Sequence, residues 1–136
     1  MTRYSKIVAG VLLITVPTIV FGGTTLLSML VGDESYMQNA LRQNLWRAGH
    51  AHAGVLVIFS LIVLRYVDET NLGEISKWLI RFAVPSAAIL MPLAFFLSVL
   101  SPQATAPNGF IYLAYIGALA IGLGTLTLGI GLIRAK

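Results

Sequence analysis

Two imidazoles stand two residues apart in the segment Trp46-Arg47-Ala48-Gly49-His50-Ala51-His52-Ala53-Gly54. They are the only histidines of the chain, which has no cysteine. Neutral imidazole is a good iron or copper ligand. A helix turns ~100° per residue, so positions i and i+2 point ~200° apart. His50 and His52 therefore cannot grip one ion from the same helix, unlike an i, i+4 pair. If both are ligands, they serve different centres or different subunits. The four methionines are Met1, Met29, Met37 and Met91, and there is no third histidine. A two-histidine site thus needs a second copy of the chain; in a ring of identical subunits, His50 of one could face His52 of the next.

The flanks, Ala48, Gly49, Ala51, Ala53 and Gly54, leave the backbone bare around the imidazoles. Small residues admit a close neighbouring helix, and they also leave room for a flat macrocycle. Arg47 and Arg42 precede the pair and could pair with anionic carboxylates such as haem propionates. A plainer reading stands beside this one. The histidines could bond backbone carbonyls or headgroups at a membrane interface, with Trp46 and Arg47 as ordinary interface anchors. Without cysteine there are no disulfides, thiolate metal sites, iron–sulfur ligands or covalent haem attachment.

The element carrying the pair must cross a membrane. Hydrophobic residues make up 57% of the chain and charged residues 10%, too few charges to cover the surface of a soluble domain of this size. A hydrocarbon core of ~30 Å needs ~20 apolar residues. Runs over 7–32, 46–67, 78–100 and 110–133 meet that length, separated by loops 33–45, 68–77 and 101–109. The expectation is an all-α, single-domain, integral membrane four-helix bundle over residues 1–136. The run from Ile7 to Val31 exceeds the ~7–15 apolar residues of a signal peptide and lacks an Ala-x-Ala end, so a retained helix is expected. Pro17, Pro85 and Pro92 fall inside spans, where membrane bundles tolerate them. Ser35 to Leu45 has apolar residues near helical spacing and suggests a short helix on the membrane surface.

Arg3, Lys6, Arg65, Lys77, Arg81, Arg134 and Lys136 fall on one side of this plan, and Arg42 and Arg47 on the other. The positive-inside rule then puts both termini in the cytoplasm and the histidines near the outer leaflet of the cell membrane. The net charge of +4 is read as topology signal and headgroup contact; no basic run with interleaved aromatics suggests nucleic acid. Asp68 and Glu69 are expected to be solvated loop charges. Gly117, Gly124 and Gly131, and separately Gly122 and Gly129, recur at seven residues and predict a packing seam. Tyr112 and Tyr115 suggest an interfacial belt. Thr15, Thr18, Thr24, Thr25 and Ser28 could bond across helices or line a polar path.

The segment Gly-His-Ala-His-Ala-Gly-Val-Leu resembles the haem-binding helix of subunit I of heme-copper oxidases, closest in flavour to cbb3-type oxidases and nitric oxide reductases. There a His-x-His pair ligates two haems on the two faces of one helix. That subunit has twelve core helices in three arcs of four, with ligands on the second helix of an arc, and this chain looks like one such arc. The resemblance implies a homotrimer of twelve helices, with haem b held between His50 of one protomer and His52 of its neighbour. The motif covers about eight residues. The family's three-histidine copper site has no counterpart here. Nor does its histidine–tyrosine spacing, since the residues four after His50 and His52 are Gly54 and Leu56. A bis-histidine haem is coordinatively saturated and suits electron transfer better than turnover. Copper is the alternative metal. A small channel or transporter with a histidine gate, and a non-catalytic partner of a membrane complex, are the competing functions; an unidentified redox partner belongs to the first.

Overall fold

A computed structural model describes residues 1–135, so Lys136, one of the basic residues used to orient the chain, lies outside the described residues. Within them the chain is all-helical: α1 Arg3–Gly32, α2 Glu34–Met37, α3 Ala40–Tyr66, α4 Glu74–Ser98 and α5 Tyr112–Arg134, with short 3-10 turns at Val67–Glu69 and Gly109–Ile111. α1, α3, α4 and α5 are long and apolar enough to cross a membrane. Each starts or ends a few residues beyond its apolar run, because hydropathy marks the lipid-facing stretch whereas capping fixes the helix end. Thr2 accepts from the Ser5 N–H at the start of α1, and Asn39 accepts from the Arg42 N–H at the start of α3.

The first loop departs from expectation. Only Glu34–Met37 forms a separate short helix, and Ala40–Leu45 already belongs to α3. Asp33 caps α2 by accepting from the Tyr36 N–H. The Ser35 hydroxyl and that N–H hold its carboxyl below the usual carboxylate range.

The helices pack chiefly in chain order: α1 on α3, α3 on α4, and α4 on α5. α1 is the most exposed, with only 6% of its most apolar stretch buried. Large apolar side chains such as Ile14, Phe21, Ile58 and Leu119 face outward, the pattern of helices solvated by lipid. The packed interior holds Leu56, Val57, Val63 and Leu64 of α3 against Ile80, Val84 and Ala88 of α4.

The seam on α5 is resolved into two. A Cβ added at Gly117, Gly124 or Gly131 would come within 2.5, 2.7 or 2.6 Å of Met91, Val84 or Leu72, so these glycines set the approach of α5 to α4 and the loop before it. Gly122 and Gly129 have no such neighbour. The threonines of α1 bond within their own helix: Thr15, Thr18, Thr24 and Thr25 donate to carbonyls three or four residues back. None of these four hydroxyls donates to another helix.

At the basic end, Arg81 corrects the reading of Asp68 as a solvated charge. Arg81 is fully buried and donates to Asp68 at 2.8 Å, to the Ser5 hydroxyl at 3.2 Å and to Glu74 at 3.5 Å. The Asp68 side chain is 9% exposed. A guanidinium one turn inside the apolar run needs a counter-charge, and the adjoining loop supplies it. Glu69 instead pairs with Arg65, both exposed.

Candidate functional site

Both imidazoles lie on α3 and are half-buried, and the structure separates them as the helical period requires. His50 turns to α1, where a Cβ on Gly23 would stand 2.9 Å from its Cε1 and Nε2 and one on Gly22 would stand 3.9 Å from Nδ1. His52 turns to α4, its ring centroid 5.0 Å from that of Phe95. His52 Nδ1 lies 2.7 Å from the carbonyl of Ala48. A carbonyl only accepts, so Nδ1 carries the proton, and in the neutral ring Nε2 keeps its lone pair. Fixing one nitrogen by a backbone carbonyl is how proteins aim the other at a metal.

The small residues around the pair serve different ends. Gly49 is buried beneath α4, where a Cβ would lie 3.1 Å from Phe95 and Phe96; it permits helix contact and leaves no room for a macrocycle. Ala53 lines a cleft between α1 and α4. Only Ala51, exposed, and Gly54, with nothing near its missing Cβ, remain open. By helical period that open face lies between the directions of the two imidazoles.

The two arginines also divide. Arg42 is buried at 4% exposure. Its Nε donates to the Val99 carbonyl at 3.1 Å and an Nη to Leu100 at 3.3 Å, while its guanidinium lies 4.3 Å over the Trp46 ring. It closes the end of α4, where a cation complements the helix dipole. Trp46 is a tie as well, donating its indole N–H to the Phe96 carbonyl at 3.1 Å. Arg47 is exposed, donates to the Gln43 carbonyl and the Asn44 side chain of its own helix, and stands about one turn N-terminal to His50.

Among the described residues, no three His, Cys, Asp or Glu side chains come together to hold a metal ion. A metal site with three protein ligands of these types is therefore not assembled within the described residues of one protomer. Sequence reasoning missed the seat of His50, although the adjacent Gly22 and Gly23 in span 1 were the available signal. The chain matches no protein-family model, no curated protein and no solved structure.

Proposed function

We propose that the chain is a haem b-binding protein of the cell membrane, with both termini cytoplasmic. Its haem lies between copies, held by His52 of one protomer and His50 of the next in a homotrimer. The observation that carries this reading is the His52 Nδ1–H···O=C bond to Ala48, which leaves Nε2 as a lone-pair donor on a half-buried ring. His52, its Nδ1 held by the Ala48 carbonyl, would offer Nε2 to the haem iron. His50 fits only when its ring turns away from Gly23, since Nε2 now faces that backbone. The haem would supply a one-electron couple suited to electron transfer.

The remaining roles fall to this chain's own side chains. Ala48 fixes the tautomer and direction of His52, and the Phe95 ring limits its rotation. Arg47, exposed one turn outward, suits an anionic carboxylate. Arg42 is engaged with the Val99 and Leu100 carbonyls through Nε and one Nη. Copper is the alternative metal, since imidazole suits either, and metal analysis separates the two.

The test is an absorption spectrum and oligomer mass on protein purified in mild detergent from haem-replete cells. A Soret band that shifts on dithionite reduction and disappears in His52→Ala is expected. His50→Ala should retain haem poorly and show a five-coordinate spectrum. Colourless wild-type protein, or a band indifferent to His52, would sink the proposal. Liposome flux changing near the ~6.5 imidazole pKa would instead favour a histidine-gated channel.

A further inference from the structure

α1 and α4 barely touch along their length, and a groove runs between them. Its basic-end section, about 330 Å³, is bordered by Ile7 and Val11 of α1 and by Phe82, Pro85 and Ile89 of α4. A second section, about 250 Å³, shares Val11, Leu12 and Ile89 with the first and continues to Thr18, Ile19 and Leu93. Ala53 and Val57 of α3 help line it. At ~1.5 Å per residue, Ile7 to Ile19 spans ~18 Å and Phe82 to Leu93 ~16 Å. Those lengths match one leaflet, ~15 Å of a ~30 Å hydrocarbon core.

The basic end of the groove is built differently. Tyr4 and Trp78 meet there with ring centroids 4.8 Å apart, and Phe82 stacks on Trp78 at 5.1 Å and 11°. Amphipathic rings of this kind sit at headgroup level. Arg3, Lys6 and Lys77 lie within one turn of these rings along their helices. None of the three forms an ion pair among the described residues, and their long stems let the charged heads reach headgroup phosphate. Arg81 closes the groove behind them but is already neutralised by Asp68 and Glu74.

We propose that this groove holds an acyl chain of an anionic phospholipid whose phosphate is gathered by Arg3, Lys6 and Lys77. Groove length selects the chain, and three unpaired cations at its mouth select the headgroup sign. Basic pockets between transmembrane helices bind anionic headgroups for this reason. The site stands whether or not His52 binds haem.

Trp78 reports on the site directly. Wild-type protein is reconstituted in phosphatidylcholine vesicles containing either brominated-chain phosphatidylglycerol or brominated-chain phosphatidylcholine. Fluorescence quenching is measured against Trp78→Phe to isolate the indole at the groove. The expected result is saturable quenching at several-fold lower mole fraction of the anionic lipid. The combined Arg3→Gln, Lys6→Gln, Lys77→Gln variant should lose that preference, by up to about fivefold per charge removed. Ser86→Phe, which fills the groove from its α4 wall, should reduce quenching by the anionic lipid. If Ser86→Phe does not fold, the surface glutamine variant decides alone. Equal quenching by both lipids, or an unchanged preference in the glutamine variant, overturns the proposal. So does a disulfide between copies in Ser86→Cys, which would mean that a second protomer fills the groove.

Discussion

A methyl group on Gly23 would meet two ring atoms of His50 at 2.9 Å, so Gly23→Ala must push the imidazole aside. We expect this to destabilise the haem-free protein by about 1–3 kcal/mol, the usual cost of overpacking, seen as a lower melting temperature in detergent. If His50 ligates haem only after leaving Gly23, the same variant keeps its Soret band. Loss of that band would mean that the present seat of His50 is itself needed for binding. Arg42 gives a second prediction at this scale. Arg42→Ala removes charged donors from two carbonyls at the end of α4 and should cost about 2–3 kcal/mol. Arg42→Lys, lacking the planar fork, should recover only part of that loss in the same melting assay.

Between elements, the α4–α5 contact depends on missing side chains. Gly124→Leu would drive four carbons into Val84, whereas Gly122 has nothing near its missing Cβ. Gly124→Leu should therefore lower the melting temperature strongly and Gly122→Leu hardly at all; equal effects would argue against this assignment of the two glycine registers. The basic ends of α1 and α4 and the loop between α3 and α4 are held by Arg81. Asp68→Asn leaves that buried guanidinium without its nearest counter-charge, a loss of about 3–5 kcal/mol for a buried pair. Limited proteolysis of the loop around Asn71 should accelerate in this variant. A wild-type rate would mean that Glu74 suffices.

For the whole molecule, four helices packed in chain order with outward-facing apolar side chains suit lipid, and the two imidazoles face different helices, α1 and α4. The proposed haem site is thus a property of an assembly. Native mass spectrometry from mild detergent should give three protomers, with haem lost in step with dissociation. A haem-loaded monomer would contradict the arrangement while leaving the helices untouched.

The number and approximate extent of the spans were legible in the sequence because hydrocarbon thickness fixes their length and lipid excludes charge along it. The opposed directions of His50 and His52 were legible too, because the helical period alone determines them. The glycine repeat of the last span announced a seam, although only packing separated Gly117 and Gly124, which face α4, and Gly131, which faces the loop before it, from Gly122 and Gly129, which have no such neighbour. Other facts depend on residues distant in sequence arriving at one place. Gly23 receives His50, Val99 and Leu100 take up Arg42, and Asp68 meets Arg81. A hydropathy pattern records how each residue prefers its solvent, and it carries no information on which distant backbone will occupy the space beside it.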